Sequence, residues 1–434
     1  MKFENIITKI PGQGLCRINL SIANKTIQNV EIVEPFFGNT NQEQFYVTPG
    51  FVNCHLHPNQ LLDRRMLDEL SITQLIDQMH IDYKKTDEER YTQALLVLIE
   101  AIKSGATSIC SVATSPYPVI QAYKKLGLKG AISCFYNDRW EGYGIAPTLS
   151  LLNIIEKHFT NIIQEQTNDI KIHIGTASVE SASNDLLVLL DQLAKRFSTL
   201  VDIHICEGIE SVNSCLASRN TTPVNLLSQL KVLSPRWNLI HGVNITNDEI
   251  QLISEHKANF IHCPVSNAKT GIGIAPIKKL LQLGVKIGLG SDACSNNNTN
   301  NILNEAYFAT LLHSAFHRHP SIIPLDTIID WLTQSYKMIG LKQQGIIAVG
   351  EPADLLFWSL NDSAFSPLAY GSFNSALLYN APDLKPHTVL INGRIVVENY
   401  KFTLLSEEKI KKQVNECGSR IQKFRNETHG RKKY

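Results

Sequence analysis

His55 and His57 stand two residues apart at the end of an apolar run, FVNCHLH (51–57). Side chains two apart in an extended strand share a face, so both imidazoles can reach one ion. A third histidine, His204, lies near the end of VDIHIC (201–206) with Glu207 just beyond it; His241 is late in WNLIHGV (237–243), and Asp292 ends VKIGLGSD (285–292). Three imidazoles and a carboxylate form an N3O ligand set for a divalent metal that still has room for water. Spacing alone is weak evidence. The chain has 14 histidines, and His317-Arg318-His319 repeats the spacing before Pro320, where it reads as surface structure. Two core histidines bonded to neighbouring carbonyls would explain His55 and His57 equally well, so their placement in the fold has to decide.

Eight short apolar runs separated by turns and helical stretches imply parallel strands with crossover helices. They are 51–57, 106–113, 129–136, 170–176, 201–206, 237–243, 259–265 and 285–292. Eight such units suit a TIM-type barrel, whose chemistry sits at the C-terminal ends of its strands. The histidines, Glu207 and Asp292 all fall there. The stretch EERYTQALLVLIEAIKSGAT is expected to be a helix stopped at Gly105. Period-2 patterns at both chain ends, with an Asn392-Gly393 hairpin signal, predict a second, smaller unit. The predicted class is therefore α/β: a (β/α)8 TIM-type barrel over 49–344, a small discontinuous β-sandwich from 1–48 and 345–405, and a basic helical tail over 406–434. The tail's Lys409, Lys411, Lys412, Arg431, Lys432 and Lys433 read as a solvated face.

Lys+Arg (41) and Asp+Glu (40) nearly cancel, which removes the field that would attract nucleic acid or an anionic membrane. A small, weakly charged molecule is the expected partner. No apolar run approaches the roughly 18 residues of a membrane span. The nine cysteines never form CxxC, and several sit in strand-like runs, so they read as reduced thiols of a cytoplasmic protein.

The ordered set PGFVNCHLH (49–57), HICE (204–207), HG (241–242), HCPVSNAKTGIGIAPI (262–277), GLGSDACSNNN (288–298) and GEPADL (350–355) resembles the amidohydrolase superfamily. Within it, the resemblance is to the branch of guanine, adenosine-derivative and triazine deaminases and chlorohydrolases, and it covers nearly the whole chain. It implies one metal ion, usually zinc and in some relatives iron, held by His55, His57, His204 and Asp292. His241 would contact the attacking water or the substrate, Asp292 would accept a proton from that water, and Glu207 would pass one to the ring nitrogen beside the attacked carbon. The implied reaction is hydrolytic deamination of a purine, pterin, pyrimidine or triazine. Hydrolysis of a C–Cl bond or a cyclic amide is the nearest alternative. A catalytically silent paralogue is the third, and it would be expected to have lost a ligand. A binuclear variant would need a bridging group such as Lys171. The resemblance also suggests a homo-oligomer.

Substrate choice is expected in the loops 58–86, 137–146, 176–184 and 293–305. Candidate contacts are Gln60, Arg64, Asn137, Arg139, Trp140, His173, Ser266, Asn267 and Asn296, although His173 reads more readily as a structural histidine. The Asn296-Asn297-Asn298 run is expected to cap the following helix and rim the pocket. Thioadenosine deaminases carry a Trp-Leu and Pro-x-Glu segment whose Glu holds ribose. Here the matching stretch, ITQLIDQMHIDYKKTDE (72–88), lacks both, and GTASVESASND (175–185) replaces a His-Ala-Pro-Tyr-like turn.

Overall fold

A computed structural model describes residues 1–38, 44–66, 68–72, 74, 85–142, 146–369 and 371–429. The chain opens with β1 (Lys2–Ile10), β2 (Gly14–Ala23), β3 (Thr26–Pro35) and β4 (Phe45–Pro49). In β2 the buried Cys16, Ile18, Leu20 and Ile22 alternate with less buried neighbours, as the period-2 pattern requires. Only Gly50 separates β4 from the first barrel strand. A Cβ there would lie 2.0 Å from Thr107 Oγ1, so the close approach demands glycine.

The barrel strands are β5 (Phe51–His57), β6 (Ala106–Ala113), β7 (Lys129–Phe135), β8 (Ile170–Thr176), β9 (Val201–Ile205), β10 (Trp237–His241), β11 (Asn259–His262), β12 (Ile287–Leu289) and β13 (Asp292–Ala293). They form one parallel sheet in the order β12-β11-β10-β9-β8-β7-β6-β5-β13. All eight expected runs are strands, and the eighth is split in two. Its first half bonds β11 and its second half bonds β5, which closes the ring. The split falls at Gly290-Ser291, where a Cβ on Gly290 would come 2.7 Å from His55 Cβ. Asn53 clips this break to β5: its Nδ2 donates to Ser291 Oγ (2.7 Å), and its Oδ1 accepts from Ser291 N (3.2 Å).

The helix expected before the second strand spans Asp87–Lys103, with a Thr86–Glu89 capping box at its start and Gly105 at φ +104 beyond its end. After the barrel come β14 (Leu355–Ser359), β15 (Thr388–Ile391), β16 (Arg394–Glu398) and β17 (Lys401–Phe402). They join the N-terminal strands in one eight-stranded sheet, β17-β16-β15-β14-β4-β1-β2-β3, with an apolar cluster of its own that includes Ile18, Leu20, Val47, Leu355 and Leu390. Asn392 (φ 51) and Gly393 (φ 72) form the expected hairpin turn. A terminal helix, Glu407–His429, packs Ile410, Val414, Cys417 and Ile421 inward. Ion pairs Arg420–Glu89 (2.6 Å) and Lys103–Glu407 (2.8 Å) tie it to the helix Asp87–Lys103. Lys409, Lys411 and Lys412 are exposed as expected; Arg431, Lys432 and Lys433 lie outside the described residues. Among the described residues no helix is long and apolar enough to cross a membrane. All nine cysteines are buried and unpaired.

Candidate metal centre and active site

Three strand ends, those of β5, β9 and β13, bring the four expected ligands together. His55 Nε2 lies 3.0 Å from His57 Nε2, 3.3 Å from His204 Nε2 and 3.3 Å from Asp292 Oδ1. Asp292 Oδ1 is also 3.4 Å from His57 Nε2. The ligand atoms of His55, His241 and Asp292 likewise lie within 4.8 Å of one another. Side chains turn inward where the backbone bends sharply: Cys206, His241 and Asp292 have φ of +46, +71 and +58. Non-glycine residues hold such φ values only where their surroundings enforce them, commonly at functional sites.

The donor chemistry fits a divalent cation. Burial, reinforced by the charge of His55, lowers the His57 pKa to about 3, and burial drives His204 well below the ordinary imidazole range. Both rings are therefore neutral near pH 7 and present lone pairs. Burial alone would raise the Asp292 carboxyl. A hydrogen bond from His55, with the neighbouring imidazoles of His241 and His55, instead holds it well below the carboxylate range. Groups behind the ligands fix their orientation. His204 Nδ1 donates to Ala177 O (2.7 Å), which leaves Nε2 free to coordinate. Asp292 Oδ2 accepts from Ser266 Oγ (2.5 Å) and Asn296 Nδ2 (3.1 Å), so Oδ1 faces the histidines. Ser266→Ala should weaken metal affinity by about 10- to 100-fold with little loss of fold. Competitive chelator titration of the variant checks this, and unchanged affinity would remove the serine from the site.

A cavity of about 260 Å³ opens over this centre, lined by His57, His204, Glu207, His241 and Asp292 together with more apolar wall residues. His241 Nδ1 lies 2.8 Å from Asn267 Oδ1, which orients the ring; its Nε2 is 3.7 Å from Glu207 Oε1. Burial raises the Glu207 carboxyl above its ordinary range, against the opposing pull of His241. Glu207 itself is 17% exposed, at the cavity wall.

Residues 46–396 match the amidohydrolase family. The chain belongs to that family. It is 29% identical over 377 residues to a 5'-deoxyadenosine deaminase of Methanobrevibacter smithii, with 85% of each chain covered. It is 28% identical to a 5-methylthioadenosine/S-adenosylhomocysteine deaminase of Pyrococcus furiosus, covering 84% of this chain and 86% of that one. Among solved structures, an adenosine deaminase from Xanthomonas campestris with bound zinc superimposes with a TM-score of 0.86 at 19% identity, covering 96% of this chain and 98% of that one. An atrazine chlorohydrolase from Arthrobacter aurescens complexed with zinc gives 0.85 at 17% identity, covering 96% and 99%. These structures share the barrel fold.

In this amidohydrolase the candidate substrate contacts divide. Gln60, Asn137, Trp140 and Asn296 line the cavity. Arg64 does not: it is held bidentately by Glu100 (3.1 and 2.6 Å) and also reaches Cys294 Sγ (3.2 Å). Arg139 pairs with Glu141 and is 48% exposed. His173 is fully buried with Nδ1 2.9 Å from Asp202 Oδ2, and Asn238 Nδ2 donates to Asp202 Oδ1 (2.6 Å). Asp202 precedes His204 by two residues in β9, so this pair fills the interior layer beneath the metal centre. That placement matches the structural reading of His173. Asn267 acts on the site through His241. Lys171 Nζ donates to Thr167 O (3.0 Å) near the start of β8, far from the strand ends where a bridging group would have to stand.

The asparagine run meets half of its expectation: Asn296 rims the cavity, but the run does not cap the helix Ile302–His317. Asn301 caps the helix Ile302–His317, accepting from Leu303 N and Asn304 N. Asn296 bonds Asp292, and Asn297 Nδ2 donates to Ser291 O (2.7 Å) and to Glu305 Oε1 (2.6 Å). Sequence reading missed Asn53, Phe135 and Glu180. A polar residue on the parity of His55 and His57 was an available signal for Asn53. Phe135 and Glu180 carried none, since their direction depends on packing.

Proposed function

We propose that this amidohydrolase removes an amino group from an aminated heterocycle by hydrolysis, releasing ammonia. In this reading His55, His57, His204 and Asp292 hold one divalent ion, zinc before iron. Glu207 carries the proposal: a carboxyl of raised pKa beside His241, at the wall of a cavity that also contains the ligand set. When bound, the ion lowers the pKa of water toward about 7 and so supplies a nucleophile at neutral pH.

The chain's own groups do the rest. A bond forms between the water oxygen and the ring carbon bearing the amino group, and the ring nitrogen beside it gains a proton from Glu207. Asp292, ionised, takes one of the two water protons, and the other goes to Glu207 once it has given up its own. His241, oriented by Asn267, stabilises the charge that develops on the attacking oxygen. The C–N bond then breaks as the departing amino group takes the proton held by Asp292 and leaves as ammonia, with Glu207 again protonated for the next turnover. The relatives named as deaminases support this reading, and the buried, unpaired thiols suit a cytoplasmic enzyme.

The test is an ammonia-release screen of zinc- and iron-loaded protein across amino-purines, pterins, pyrimidines and triazines. Ammonia from at least one class is expected. Chloride release from chlorotriazines with no ammonia from any amino compound would move the reading to C–Cl hydrolysis.

A further inference from the structure

The reaction above leaves two carboxyls of the cavity lining unused, Glu180 and Glu210, and of these Glu180 is the buried one. Glu180 is 6% exposed and sits on the short turn Val179–Ser181 that follows β8. The Ser211 and Ser178 hydroxyls and its own backbone N–H lie within reach of the carboxyl and partly offset its burial, yet Oε2 is buried with no well-formed hydrogen bond among the described residues. A bare buried carboxylate oxygen is costly unless something arrives to satisfy it. Burial accordingly pushes this carboxyl above the ordinary range, and its charge adds to that felt by Glu207.

The turn is firmly held. Arg219, the nearest candidate ion-pair partner, gives its donors elsewhere: Nε to Glu141 Oε2 (3.0 Å), Nη1 to Asn184 Oδ1 (2.9 Å), and Nη2 to Val179 O (2.8 Å) and Ala182 O (2.5 Å). Glu141 N donates to Glu180 O (2.8 Å), and Ser178 N donates to Ser181 Oγ (2.9 Å). Glu180 is thus a preorganised acceptor. Val112, Phe135, Trp140 and Pro147 supply apolar and aromatic surface in the same cavity, suited to the faces of a ring.

We propose that Glu180 selects the substrate by accepting a hydrogen bond from an N–H on the ring's edge. The preferred heterocycle then carries a second exocyclic amino group besides the amino group that is removed. The inference rests on the deaminase reading for the identity of the ring. In its ionised form the carboxylate oxygen only accepts, so it favours a donor edge and is left unpaired by an analogue that lacks one.

The experiment measures calorimetric binding to the zinc-loaded protein in a Glu207→Gln background, so that ligands survive. Two matched pairs serve as probes: 2,6-diaminopurine against adenine, and 2,4-diaminopyrimidine against 4-aminopyrimidine. The diamino member should bind at least about tenfold tighter, and Glu180→Gln or Glu180→Ala should reduce the difference to under about threefold. An equal preference with and without Glu180, or no preference within either pair, overturns the proposal. Tighter binding of adenosine than adenine, lost in Glu180→Gln, places the carboxyl on sugar hydroxyls and also overturns it. With Glu207 intact, ammonia release whose preference for the diamino substrate does not depend on Glu180 removes this inference and leaves deamination standing. A Glu180-dependent preference with no ammonia released does the reverse.

Discussion

Glu207→Gln is expected to lower kcat by about 100- to 10,000-fold, the usual worth of a positioned general acid and base, while metal content stays at the wild-type level. The substitution keeps the size and planar shape of the side chain and removes only its ability to exchange a proton. Glu207 Oε1 is 3.7 Å from His241 Nε2, and Glu207 does not belong to the groups of side chains whose ligand atoms converge within 4.8 Å. Its loss should therefore spare the ion. Its burial-raised pKa suits a group that must give and take a proton near neutral pH. Steady-state ammonia release and elemental analysis of one preparation check both halves. Near-normal turnover would remove Glu207 from the mechanism, and loss of metal would make it a ligand.

The second large effect is expected at His55. Its Nε2 stands within 3.3 Å of the nearest ligand atoms of His57, His204 and Asp292, so it occupies the middle of the set. His55→Ala should lose stoichiometric metal and all measurable turnover. Chelation of wild-type protein should do the same, reversibly on adding Zn2+ or Fe2+. Stability should follow the metal as well, because a ligand that binds only the folded state adds about 2.7 kcal/mol at a hundredfold excess over its Kd. Thermal melts with and without metal read this term. A His55→Ala protein that keeps one equivalent of metal and melts with the wild-type metal dependence would refute the assigned ligand set.

The parts of this molecule legible in its sequence are those fixed by short-range rules. Alternation and apolar runs located the eight strands, parity put His55 and His57 on one face, and Gly105 and Asn392-Gly393 marked a helix end and a hairpin. The ligands stood out because barrel strands all present their ends on one side, so position along a strand already states position in the fold. Loop side chains obey no such rule. Arg64 turns from the cavity because Glu100, 36 residues later, binds both its amino groups. His173 points into the barrel but one layer too deep, where Asp202 takes its Nδ1. Glu180 faces the cavity because Arg219 and Glu141, each distant in sequence, hold its turn. The candidate metal centre was thus written in strand register. The walls that choose the substrate were decided by tertiary partners, since a loop side chain points wherever its remote hydrogen bonds and packing make it cheapest to lie.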